Sequence, residues 1–189
     1  MLISVSVLMI RCQKRGERAQ RVHPALFPIP AHMPPQFIID LAGIDLDRVL
    51  YDQDEVRKVN PQRGDMEQLD AIVHVHPEKG EIIGYKDIRD NEFWVAGHIP
   101  GRPLFPGVLM IEAAAQVASF YTKKVMNWEG FIGFGGVDKV KFRLPVTPGV
   151  RMYVLGKKLW DRHRRVGCAM QGVINGNLIF EAEITGTRF

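Results

Sequence analysis

The sequence predicts an α+β domain in which an antiparallel sheet wraps one long buried helix. Two observations carry that expectation. Residues 106–125, PGVLMIEAAAQVASFYTKKV, are apolar on almost every helical face, the mark of a helix enclosed by other elements. Around this stretch lie six β-like segments, at 70–76, 81–88, 131–146, 150–160, 164–174 and 178–189. Short separators rich in turn residues, such as Pro-Glu-Lys-Gly, Thr-Pro-Gly and Asn-Gly-Asn, join most of them, as antiparallel neighbours require.

The elements follow in order. Residues 1–10, MLISVSVLMI, are apolar but short, with no basic residue ahead and no clear small-residue cleavage site behind, unlike a secretory signal. The basic, proline-broken run that follows has no apolar period. It reads as a disordered extension over residues 1–35, with translation expected to begin at Met33 and a single domain over 36–189. Residues 36–60 mix apolar and acidic side chains, and QDEVRKV (53–59) forms a short helix that stops before Asn60-Pro61. DAIVHVH and EIIGYKDI alternate around PEKG as an antiparallel hairpin. In the long helix, Pro106 suits the first turn, alanines favour the interior, and Lys123 and Lys124 complement the carboxyl-terminal dipole.

With 189 residues, 46% apolar and 24% charged, the chain has an ordinary globular composition, and no apolar run approaches the length of a spanning helix. Its two cysteines, Cys12 and Cys168, cannot make a framework of bridges, which points to a reducing, cytoplasmic setting. A net charge of +4 would suit a nucleic-acid binder, but residues 1–32 alone carry that +4. The rest is bipolar, at −7 over 33–122, +8 over 123–165 and −1 over 166–189. The basic segment could meet an acidic protein partner, with solvated turns and strand edges as the plainer alternative. Neither a nucleic acid nor a membrane is expected as a partner.

The chemistry concentrates near the helix. A carboxylate among apolar residues must be paired, neutral or useful, which singles out Glu112. Glu112, Gln116, Ser119 and Lys123 fall on one helical stripe. Ahead of the helix, GHIPGRP places His98 in a stiff Gly- and Pro-rich loop. Gly107 would let a ligand approach the backbone, and the amides at the helix start suit a developing oxyanion. A base, an acid and oxyanion donors thus come from one continuous segment. The alternative is a capping His98 and a Glu112 bonded to a backbone amide. Weaker features are His74 and His76 as metal ligands without a third partner, Cys168 as a buried strand residue, and Arg162-His163-Arg164-Arg165 at a hairpin tip.

The run FWVAGHIPGRPLFPGVLMIEAAAQVASF resembles the signature of the 3-hydroxyacyl-[acyl-carrier-protein] dehydratases of bacterial fatty acid synthesis, the FabZ type. The match comprises Gly97, His98, Pro100, Pro103, Pro106, Gly107, Val108, Leu109, Glu112, Ala115 and Gln116. It continues through GGVDKVKFRLPVTPGVRM and covers about residues 53–187. Two departures stand out. Ile99 replaces the usual Phe, and NPQRGDMEQLDAIVHV stands where the family has a Pro-His-Arg-Tyr-Pro-like run and an apolar strand entry. Gly64, Asp65, Glu67 and Gln68 make that segment acidic and polar.

The resemblance implies the hotdog fold and dehydration of a 3-hydroxyacyl carrier thioester to the trans-2-enoyl form, without metal or organic cofactor. It implies His98 as the base at C2 and Glu112 as the acid for the departing C3 hydroxyl, with Gly107, Val108 and Gln116 around the substrate. Glu112 favours the non-isomerising branch, because the isomerising FabA-type enzymes usually carry Asp there. The implied partners are an acyl carrier protein and a second copy of the chain, in a homodimer with a continuous sheet and often three dimers together, each active site combining His98 of one chain with Glu112 of the other. Lys123, Lys124, Lys139, Lys141 and Arg143 are the candidate carrier-docking residues. A hotdog thioesterase, an enoyl-CoA hydratase-like enzyme and a non-catalytic acyl-binding module are the rival readings.

Overall fold

The computed structural model describes residues 36–189. The expected extension, residues 1–35, lies outside the described residues, as do Cys12 and Met33. Helix α1 (Gln53–Val59) is capped by Asp52, whose carboxylate accepts the Glu55 N–H at 2.9 Å. A single 3-10 turn (Gly64–Met66) leads into strand β1 (Ala71–His76), and β2 (Glu81–Ile88) follows. Helix α2 (Gly107–Phe120) runs on into a π turn (Tyr121–Val125). Strands β3 (Ile132–Phe142), β4 (Val150–Arg162), β5 (Arg165–Ile174) and β6 (Asn177–Arg188) complete the domain. Asn175 and Gly176 have φ of 49° and 74° at the β5–β6 turn, the positive values that an Asn-Gly hairpin supplies.

All strand pairs are antiparallel, in the order β1-β2-β4-β5-β6-β3. The sheet curls around α2, the hotdog arrangement that the sequence leads one to expect. Leu109, Met110, Ala113, Val117 and Phe120 of α2 are buried in the cluster that includes Ile82, Met152, Val154 and Phe180. Burying side chains of this kind contributes about 1.5–3 kcal/mol each for the larger ones, so the helix is held by its packing rather than by its weak N-terminal cap, Pro106.

The opposite face of the sheet is also covered, which the alternating patterns of β1 and β2 do not reveal. Ala71, Val73, Ile83, Tyr85, Leu155 and Val173 point away from α2 and form a second cluster. Over them lies the segment 36–46, with Ile39 only 1% exposed. Gln171 fastens it, accepting the Ile38 N–H at 2.9 Å and donating to the Gln36 carbonyl at 3.3 Å. Strand β2 is consequently buried along nearly its whole length rather than on one face alone. Edge strand β3, in contrast, leaves Phe134 and Phe142 exposed, with Phe131 and Leu144 just beyond its ends.

Candidate active site

His98 sits on the long connection between β2 and α2, and that connection hangs on Glu92. The Glu92 carboxylate accepts the Arg89 N–H at 2.8 Å and the Trp94 indole N–H at 3.0 Å. It also pairs with the buried ammonium of Lys86 at 3.2 Å. Trp94 packs on Phe105 with ring centroids 5.4 Å apart, and its carbonyl accepts the N–H groups of Gly97 and His98. The imidazole of His98 is exposed, with Nδ1 2.8 Å from the Leu104 carbonyl oxygen. A carbonyl only accepts, so Nδ1 carries the hydrogen and the neutral ring keeps its lone pair on Nε2.

Helix α2 begins at the same place. The Pro106 carbonyl accepts from Leu109 and Met110, leaving the N–H groups of Gly107 and Val108 without intrahelical acceptors. Gly107 has no room for a side chain, since a Cβ there would lie 2.7 Å from the Phe142 ring. His98, Gly107 and Val108 line one cavity together with Leu104, Phe142 and Leu144.

Glu112 is half-buried in the middle of α2 and lines a different cavity, with Gln62, Ala115, Ser119, Cys168 and Thr185. Its Oε1 accepts from Gln116 Nε2 at 2.7 Å and from Gln62 Nε2 at 3.3 Å. Gln116 is buried and fully engaged: Nε2 also donates to the Met66 carbonyl at 2.6 Å, while Oε1 accepts the Gln68 N–H at 3.0 Å. Asn60 donates to the Gln116 carbonyl at 2.9 Å. Within the polar segment 60–68, Asn60 and Gln68 turn inward, Gln68 being only 1% exposed, while Arg63, Gly64 and Asp65 stay on the surface. Glu67 takes a two-point bond from Arg57, which holds its carboxyl below the usual range. The cavity beside Glu112 measures about 70 Å³, room for roughly two waters. Burial pushes the Cys168 thiol in its wall up to about 12, so it stays protonated and inert.

Within one chain, His98 and Glu112 line different cavities. One cavity gathers His98 with the helix-start amides, and the other gathers Glu112 with Gln116. No local signal pointed to Glu92, to the Leu104 carbonyl or to Gln62. Glu92 and Gln62 are isolated polar residues without a periodic partner, and a carbonyl has no sequence signal.

Of the candidate docking residues, Lys123 and Lys124 lie in the π turn, Lys124 5.6 Å above the Tyr51 ring. Lys139 pairs with Glu183 at 2.8 Å, and Lys141 and Arg143 share Glu181 at 3.2 and 2.7 Å. Arg162, Arg164 and Arg165 surround the β4–β5 turn and make no ion pair among the described residues. His74 is half-buried on β1, and burial lowers its tendency to protonate. Among the described residues no group of three or more His, Cys, Asp or Glu side chains could hold a metal ion. No described helix is long and apolar enough to cross a membrane.

Comparison with known proteins adds to this geometry. The profile of the FabA-like domain matches residues 60–183. A 3-hydroxyacyl-[acyl-carrier-protein] dehydratase FabZ of Desulfotalea psychrophila is 34% identical over 127 residues, which span 66% of this chain and 84% of that protein. The protein of the same name from Geotalea uraniireducens is 33% identical over 144 residues, spanning 72% and 95%. Among solved structures, the dehydratase heterocomplex ApeI:P of Xenorhabdus doucetiae aligns with a TM-score of 0.59 at 13% identity, over 71% of this chain and 90% of that one. Cj0977, a sigma28-regulated virulence protein of Campylobacter jejuni, aligns at 0.52 with 16% identity, over 72% and 90%. These two likenesses concern the fold alone.

Proposed function

This chain belongs to the FabA-like family and is a FabZ-type 3-hydroxyacyl-[acyl-carrier-protein] dehydratase, a hydro-lyase of fatty acid synthesis, and from that premise we propose that His98 and Glu112 move its two protons. His98 Nε2 takes the proton from C2, the electron pair forms the C2=C3 bond, and the C3–O bond breaks. Glu112 protonates the departing hydroxyl, so that water leaves and the trans-2-enoyl thioester remains. The observation that carries this reading is the bond between His98 Nδ1 and the Leu104 carbonyl, because it fixes the tautomer whose other nitrogen is a base. The N–H groups of Gly107 and Val108, in the same cavity, suit the thioester oxygen as it gains enolate charge.

Because base and acid line different cavities, we place each working site between two chains, with His98 from one and Glu112 from its partner. Strand β3 is the edge that supports such a pairing: it is long, unpaired on one side, and carries exposed Phe134 and Phe142. The carrier, an acidic protein, docks in this reading on the basic segment 123–165. Lys123 and Lys124 and the unpaired arginines of the β4–β5 turn are its freest charges, whereas Lys139, Lys141 and Arg143 are already engaged by Glu181 and Glu183. The test is subunit mixing with 3-hydroxyacyl-carrier substrates, read by mass spectrometry. His98→Ala and Glu112→Gln chains, each inactive alone, should together recover roughly a quarter of the activity, as expected when half of randomly paired dimers hold one intact site. No recovery despite proven subunit exchange would overturn the shared site.

A further inference from the structure

Glu112 can act as an acid only if its proton faces the substrate, and a carboxyl has two oxygens on which to carry it. Both amide donors in reach, from Gln116 and from Gln62, converge on Oε1. An oxygen already receiving two N–H groups cannot also direct an O–H toward them. The other oxygen, Oε2, makes no hydrogen bond to the protein among the described residues, and Glu112 lines the cavity. We propose that Gln62 is a positioning residue which, with Gln116, reserves Glu112 Oε2 for the acidic proton. This rests on the assignment of Glu112 as the acid.

Gln62 is prepared for that role. Its main chain is pinned by Arg63, whose guanidinium donates to the carbonyls of Asn60, Gln62 and Arg57. Among the described residues its buried side-chain oxygen has no partner, so no competing bond draws the amide off Glu112. Gln62 also follows Pro61 where the family run Pro-His-Arg-Tyr-Pro has its histidine. A histidine could change its charge near neutral pH, and an amide cannot. The proton donor of this chain therefore has a neighbour of constant charge.

Three measurements on the full chain test this. Gln62→Leu should lower kcat about tenfold, the cost of a loosened catalytic group, while KM stays within about twofold. Gln62→His should add an ionisation to the pH profile of kcat/KM near the ordinary imidazole value of about 6.5. The double variant Gln62→Leu/Glu112→Gln should be no slower than Glu112→Gln alone, because Gln62 acts through Glu112. A kcat unchanged in Gln62→Leu, or additive losses in the double variant, would overturn the proposal. A Glu112→Gln enzyme with near wild-type turnover would instead remove the acid assignment itself, and the proposal with it.

Discussion

The loop that carries His98 holds its residue through main-chain carbonyls, whereas the helix that carries Glu112 holds its residue through side-chain amides. His98 receives the Trp94 carbonyl on its N–H and the Leu104 carbonyl on its ring. Glu112 receives Gln116 and Gln62. The difference follows from where each sits. A stiff Gly- and Pro-rich loop turns its own carbonyls inward, so it can anchor an exposed ring without help. A helix spends its interior carbonyls on itself, so a polar group on its flank must find side chains to meet it. The lesson concerns substitution: the loop's hold on His98 is reached only through whatever tethers the loop, and the helix's hold on Glu112 is open to single replacements.

The largest expected effects test whether the two residues are equal in need though unequal in support. His98→Ala and Glu112→Gln should each cut kcat by about 10²–10⁴, the usual contribution of an acid–base group, with KM little changed. His98→Ala should also abolish exchange of the C2 proton with solvent, followed by mass spectrometry or NMR. Turnover of either variant within about twofold of wild type, far below an acid–base effect, would break the comparison on that side.

Next comes the loop's tether. Glu92→Ala would leave Lys86, whose side chain is 4% exposed, without its carboxylate. Breaking a buried pair by removing one partner costs about 3 kcal/mol, to be read as a fall in melting temperature, and turnover should fall as the loop loosens. A variant with full stability would show that Glu92 is not the anchor. On the helix side, Gln116→Ala should lower kcat about tenfold through a misplaced Glu112. It should also cost about 1–3 kcal/mol, because the Gln68 N–H and the Met66 carbonyl lose their partner. A stability loss with unchanged kcat would make Gln116 a fold residue only. The smallest effect is expected outside both regions. Replacing Lys123 and Lys124 by Glu should raise KM a few-fold for the carrier-bound substrate, less so at high salt, and leave a small thioester mimic unaffected. Equal changes on both substrates would move the docking surface elsewhere.

The sequence by itself determined the elements and the chemistry that lie along one stretch of chain. The apolar run 106–125, the turn dipeptides and the GHIPGRP loop are local signals, and helix α2, strands β1–β6 and the place of His98 follow them closely. Even the short helix at 53–59 stops where Asn60-Pro61 says it must. What only the tertiary structure decided depends on residues distant in sequence. The segment 36–46 has no strand or helix period, yet it finds a place because β1, β2, β4 and β5 leave a second apolar face to be covered. Nothing local in the sequence marks Asn60 and Gln68 for burial, but Gln116, 48 residues from Gln68, gives their hydrogen bonds an interior destination. Glu112 and His98 share one motif, yet within one chain they line separate cavities. Periodicity and turn chemistry record what a residue does with its near neighbours. Which polar atom is satisfied by which, and which cavity a side chain enters, are settled only when the sheet closes around the helix.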